Sequence, residues 1–132
     1  MSDKISTDDL IGAAGQPMEG SLSDSTELIS RVQECFPGKP YCLVEQWTVF
    51  QADLSSDELE TVHRRGHLPL FLYAHSVVQD SQRRFQPGNW VRSSMCVSFG
   101  DGVMFETRNT VYVLIGAGSK QTASLKTIFS FF

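Results

Sequence analysis

His63 and His67 stand four residues apart, the spacing at which two imidazoles on one helical face share a zinc ion. Gly66 lies between them and ends a helix, so the two rings are not expected to share a face. Neither histidine has an adjacent glutamate in the form that metalloproteases use. No metal site is expected. His75 lies in an apolar, strand-like run, and work as a general base needs a positioned partner that the sequence does not supply. Gly116-Ala117-Gly118-Ser119-Lys120 is a glycine loop carrying a lysine, and successive backbone amides in such a loop hold anions. It lacks the glycine directly before Lys-Ser/Thr, and the residues after it read as strand rather than helix. The expectation is a glycine turn between two strands and no cofactor.

Two further groupings carry chemistry. Cys96, Glu106 and Tyr112 meet on one sheet face in the register derived below, but a carboxylate beside a thiol raises its pKa and no histidine stands by to help. Arg83, Arg84, Arg92, Arg108, Lys120 and Lys126 interleave with Phe85, Trp90 and Tyr112. Cations among aromatic rings on a sheet are what binders of single-stranded nucleic acid use. The candidate binding residues are therefore Arg92, Arg108, Glu106, Tyr112, Lys120 and Lys126, with no catalytic residue assigned.

These residues sit in a chain of 132 with 41% hydrophobic and 20% charged residues, a composition suited to one ordinary core. Net charge is −4, spread unevenly: residues 1–80 hold five Lys/Arg against thirteen Asp/Glu, and residues 81–132 hold six against two. The basic half is the natural place for an anionic partner. No run of residues is long and apolar enough to span a bilayer, and the first fifteen residues lack the basic and apolar regions of a secretory signal, so a cytoplasmic protein without membrane contact is expected. Three cysteines, Cys35, Cys42 and Cys96, show no CxxC spacing and read as reduced, buried side chains.

The elements that position the candidates follow from local pattern. Residues 1–22 are rich in Ser, Asp and Gly and read as a mobile tail before a single domain over 23–132. Asp24-Ser25-Thr26-Glu27 has capping-box form, and Leu28, Ile29, Val32, Cys35 and Phe36 follow at helical spacing until Pro37-Gly38. Residues 41–51 are β-branched and aromatic with both faces apolar, which predicts a covered strand. Residues 56–65 predict a surface helix capped by Ser55 or Ser56 and stopped by Gly66, and 68–79 a second strand. A meander follows, with strands at 89–99, 103–107, 111–116 and 122–131. Its register follows from keeping apolar residues together: a loop of Gly100-Asp101-Gly102, with Gly102 left-handed, pairs Phe99 with Val103 and Val97 with Phe105. The turn Arg108-Asn109-Thr110 then faces Phe105 toward Val113.

The runs Gly88-Asn89-Trp90-Val91-Arg92-Ser93-Ser94 and Phe105-Glu106-Thr107-Arg108-Asn109-Thr110-Val111-Tyr112-Val113-Leu114-Ile115-Gly116 resemble a family of short uncharacterised bacterial proteins, some prophage-borne, over residues 73–120. Ser93 stands where the pattern favours threonine. The resemblance implies a small β-rich accessory domain and a mobile-element origin, and brings no activity with it.

The expected fold is α+β: an antiparallel meander of four to six strands with one or two helices packed on one face, or a partly closed barrel. The expected function is a non-enzymatic binding or protein-interaction module, a phage or host accessory factor. The alternatives are a nucleic-acid binder using the basic 83–126 sheet face and a small enzyme built around His75, Glu106 and Tyr112. The C-terminal edge at 122–132 is expected to pair two copies in a homodimer.

Overall fold

The computed structural model describes residues 16–130. They form β1 (Gln16–Met18), α1 (Ser25–Cys35), β2 (Tyr41–Ala52), α2 (Ser56–Arg64), β3 (Leu70–Asp80), β4 (Val91–Arg92), β5 (Cys96–Ser98), β6 (Met104–Thr107), β7 (Val111–Leu114), β8 (Gly118–Ala123) and α3 (Leu125–Ile128). Each helix starts where the side-chain chemistry demands. Asp24 accepts from the Glu27 amide, Ser55 and Glu58 form a reciprocal capping box, and Ser124 accepts from the Thr127 amide.

The eight strands make one mixed, open sheet, not the antiparallel sheet of four to six strands expected. β2 is its spine. β3 pairs with it antiparallel along one side, while β7 and β8 share the other side, both parallel to β2. The parallel pairing has a simple cause. Four reversals separate β2 from β7, so a meander that returns to its first strand must meet it parallel. The sheet also curls. The segment from Val91 to Ser98 pairs with β3 at its start and with β6 at its end, and the Leu68 amide donates to the Cys96 carbonyl at 2.9 Å. The predicted strand over 89–99 is therefore two short strands around Ser93–Met95, where the chain passes from one neighbour to the other.

The concave side holds the main core: Cys42, Val44, Trp47, Val49, Leu72, Ala74, Val91, Cys96, Phe105, Tyr112 and Leu114. The inward set on β2 changes parity between Val44 and Trp47, at Gln46, whose φ is +53°. That switch explains why neither simple alternation along 41–51 describes the strand. On the convex side, α1 buries Leu28 and Val32 against Leu43, Met104, Val111 and Val113, and α3 buries Ile128 against Phe50, Phe71 and Tyr73. α2 buries no residue, as its sparse apolar content predicted.

The meander register differs from expectation, by one residue between β6 and β7 and, between β5 and β6, by one at Cys96 and two at Ser98. Phe105 pairs with Tyr112 and Met104 with Val113, while Glu106 stands opposite Ser98, with a bulge between Cys96 and Ser98. Val97 sits in that bulge and does not face Phe105. Gly102 does take the left-handed φ of +75°, but the connection is five residues, Phe99–Val103, because Asp101 Oδ1 accepts from both the Val103 and Met104 amides. The following turn is shorter than predicted, two residues instead of three. Thr107 and Thr110 close it by exchanging backbone and hydroxyl bonds around Arg108-Asn109.

Both chain ends also depart from the sequence reading. Residues 16–22, placed in a mobile tail, pair with the sheet: Gln16–Met18 on β8, and Ser21 in a bridge to Ile115. Residues 1–15 lie outside the described residues. The predicted strand over 122–131 ends at Ala123 and gives way to α3, because Ser124 caps a helical turn. The edge expected to join two copies is therefore not a strand, and Phe131 and Phe132 lie outside the described residues.

Candidate functional site

The polar end of the curl is built from three strands in register. Asp80 on β3 pairs with Cys42 on β2, which pairs with Tyr112 on β7. Asp80 has a fully buried side chain. It accepts from the Arg84 amide at 2.6 Å, from Nε at 3.0 Å and from the guanidinium NH2 at 2.7 Å. Arg84 also donates to the Thr110 hydroxyl at 2.8 Å, tying the β3–β4 loop to the β6–β7 turn. Burial works against ionisation of Asp80, but the hydrogen bonds and charge of Arg84 outweigh it and hold the carboxyl below its ordinary pKa. Behind this pair, burial above all, with the Asp80 charge adding, pushes the Cys42 thiol up to about 12. Burial, then the neighbouring Cys42, raises the Tyr112 phenol to about 12.

A second ion pair stands beside the first. Lys39, just after α1, donates to Glu106 at 2.6 Å, and the Ser98 hydroxyl donates to the other carboxylate oxygen at 2.7 Å. Burial opposes the charge on Glu106, and Lys39 and Ser98 overcome it, so its pKa is lowered. Around these pairs run two grooves that share the Arg108-Asn109 turn. One, of about 600 Å³, is lined by Pro37–Pro40, Gln82, Arg84, Arg108 and Asn109. The other, of about 370 Å³, is lined by Arg65, His67, Ser94, Met95, Arg108 and Asn109. Neither lining contains a carboxylate. Arg108 is exposed and makes no ion pair among the described residues.

The six predicted binding residues do not form one surface. Arg108 lies on the turn between the grooves, and Glu106 lies next to it but is held by Lys39 and Ser98. Tyr112 points into the core and is 6% exposed. Cys96, expected to meet Glu106 and Tyr112 on one face, is buried in the core with its pKa raised to about 12, chiefly by burial. Arg92 lies elsewhere, on β4, with its guanidinium 4.6 Å above the Phe129 ring. Lys126 is exposed on α3, and Lys120 stands on β8 between Gln16 and Val49.

The other sequence candidates resolve plainly. His63 closes α2 and Gly66 follows at φ +78°, separating it from His67. Among the described residues no group of three or more His, Cys, Asp and Glu is placed to hold a metal. Gly116-Ala117-Gly118 is a turn between two strands whose Gly116 carbonyl accepts from the Trp47 indole at 3.2 Å. Cys42 and Cys96 are buried, but Cys35 is exposed, since it falls on the outer side of α1. Sequence reasoning missed Lys39, Arg65 and Asp80. The Asp80/Arg84 spacing of four was a usable signal for an ion pair, whereas nothing local ties Lys39 or Arg65 to Arg108.

No helix of the described residues is long and apolar enough to cross a membrane. No curated protein and no solved structure matches the chain. A family model described as a domain of unknown function, DUF6957, matches residues 19–130, which takes in α1, the spine strand β2 and every element of the polar end as well as the 73–120 runs. The chain belongs to the DUF6957 family.

Proposed function

We propose that this chain is a non-enzymatic interaction module, an accessory factor of a phage or its host, that docks an acidic segment of a protein partner at the polar end of the curl. One observation carries the reading. On a chain of net charge −4, the two grooves that meet at Arg108-Asn109 collect Lys39, Arg65, Arg84 and Arg108 with His67 and line themselves with no carboxylate. Lys39 and Arg84 are fixed by their ion pairs and shape the walls, while Arg65 and Arg108 supply exposed charge. The linings carry no Phe, Tyr or Trp side chain, which favours carboxylates over nucleobases there. The groups an enzyme would need are poorly poised for the work. Tyr112 keeps its proton to about 12, Glu106 is held as a paired carboxylate, and His75 is exposed at a distance in the fold set by β3.

The test compares capture by the full chain with capture by Arg65→Glu/Arg108→Glu, both quantified by mass spectrometry. The reading expects a partner with an acidic segment to be held by the wild type, released by salt, and lost from the variant at an unchanged melting temperature. Retention of the same partners by the variant would overturn it.

A further inference from the structure

The smaller groove of the polar end, of about 370 Å³, is furnished with donors that the fold leaves uncommitted. Arg65, His67, Ser94, Arg108 and Asn109 line it together with Met95. Among the described residues, the side chains of these five polar residues hold no hydrogen bond or ion pair. The larger groove differs in this respect, because its Lys39 is taken by Glu106 and its Arg84 by Asp80. Arg65, Ser94, Arg108 and Asn109 are exposed and His67 is half-buried, so the donors now face water and can exchange it for a ligand.

The backbones that carry these side chains are held in place. The amides of Arg65, Gly66 and His67 donate to the carbonyls of Thr61, His63 and Val62 at 3.1, 3.0 and 3.0 Å. These bonds close α2 and occupy carbonyls that would otherwise repel an anion at that helix end. The Ser94 carbonyl accepts from the Ser93 hydroxyl at 2.7 Å, and that hydroxyl accepts from the Leu72 amide at 2.8 Å. The bonds between Thr107 and Thr110 pin the Arg108-Asn109 turn. A ligand therefore has only side-chain ends to order.

A carboxylate offers two oxygens in a plane and one charge, which a single guanidinium can satisfy. Two guanidiniums, an imidazole N–H, a side-chain amide and a hydroxyl outnumber it. A phosphate monoester brings three terminal oxygens and a charge of about −1.5 to −2 at neutral pH. A nucleic-acid phosphodiester carries one charge, and no Phe, Tyr or Trp lines the groove to stack its bases. We infer that this groove seats a phosphorylated side chain within the acidic segment of the protein partner, a step that rests on the docking proposed above. Arg65 and Arg108 take the phosphoryl oxygens, His67, Ser94 and Asn109 complete the bonds, and Met95 lies against the carbon arm that carries the group.

The experiment titrates the isotope-labelled full chain, followed by NMR, with three acidic peptides that differ only in a central phosphoserine, aspartate or serine between glutamates. The phosphoserine peptide is expected to bind at least about tenfold more tightly than the aspartate peptide, the scale of one added charge-assisted hydrogen bond. It should shift the signals of Arg65, His67, Ser94, Arg108 and Asn109 and weaken with salt. Arg65→Gln and Arg108→Gln should each lower its affinity roughly tenfold. Arg108→Lys, which keeps the charge and loses the planar fork, should narrow the preference for phosphoserine over aspartate. Lys126→Glu, on α3, should change nothing. Equal affinity for the phosphoserine and aspartate peptides would overturn the phosphoryl assignment and leave acidic docking standing. Binding of none of the three would overturn both. Unchanged phosphoserine affinity in Arg108→Gln, or shifts confined to other residues, would overturn the site. Inorganic phosphate, or an oligothymidylate with a terminal phosphate, bound as tightly as the phosphopeptide would assign the group to another source and overturn the inference.

Discussion

Asp80→Asn tests the polar end at its foundation. The wild-type carboxylate is fully buried and takes three bonds from one arginine, while the Arg84 side chain remains 32% exposed. Asparagine preserves the shape but removes the charge and turns an amide donor toward a guanidinium that is itself only a donor. Breaking a fully buried pair costs about 3–5 kcal/mol, and an exposed pair is worth about 0–1 kcal/mol. A buried acid with a one-third-exposed base that keeps its bond to Thr110 falls between, at about 2 kcal/mol. The assay is urea unfolding of both proteins from neutral to acid pH. The folded-state pKa of Asp80 lies below its unfolded value of about 3.9. Its contribution is therefore complete above that value and is lost as pH falls through the folded pKa. The gap between the proteins should be near 2 kcal/mol at neutral pH and close as pH drops below about 4. Glu106 titrates in the same direction but is common to both chains, so the difference curve isolates Asp80. A gap under about 0.5 kcal/mol at neutral pH, or one that stays constant into acid, would refute the assignment of Asp80 as the charged anchor of Arg84.

Two further outcomes follow from packing. Gly118→Ala would place a Cβ 2.3 Å from Cδ2 of the buried Trp47 indole, which is tethered to the Gly116 carbonyl, and should cost about 1–3 kcal/mol. Gly100→Ala, which meets nothing within 4 Å, should leave the urea midpoint unchanged. Iodoacetamide near neutral pH should label Cys35 alone in the native chain and all three cysteines in denaturant, since Cys42 and Cys96 are buried with thiols raised to about 12. Rapid native labelling at a second position, read by peptide mass mapping, would place one of these two outside the core.

The parts of the fold written in local chemistry were legible. Asp24, Ser55 and Gly66 mark helix ends by their own side-chain acceptors or left-handed freedom, and α1 and α2 fall where those signals put them. Gly102 likewise takes the conformation its position demanded. What failed was register, and for a common reason. Alternation assumes a regular ladder, and here Gln46 and the bulge at Val97 each break it. A one-residue slip moves every later side chain to the opposite face. Glu106 thereby leaves Cys96 and Tyr112, which turn inward, and finds Lys39 instead. The turn from β-like composition to helix at Ser124 escaped notice because Thr, Ile and Phe suit strands, while the deciding feature was one serine hydroxyl accepting from the Thr127 amide.

The site was less legible than the fold, because adjacency in it arises from how the sheet curls. Arg92 and Arg108 are close in sequence and alike in charge, yet the curl sends Arg92 to the ring of Phe129 on the convex face and Arg108 to the turn at the polar end. Lys39 and Arg65 are far from Arg108 in sequence and each lines one of the two grooves beside it: the parallel pairing of β2 with β7 brings Lys39 to the β6–β7 turn, and the segment Val91–Ser98, which bridges β3 to β6, brings that turn toward Arg65. The basic C-terminal half is thus not one surface but two. At one, cations surround grooves without Phe, Tyr or Trp; at the other, Arg92 lies over the Phe129 ring. A single anionic partner spread across both would have to pass around the curl. An acidic segment docked at the polar end, as proposed, requires no such path, so Arg108→Glu should release it and Lys126→Glu, on the other surface, should not.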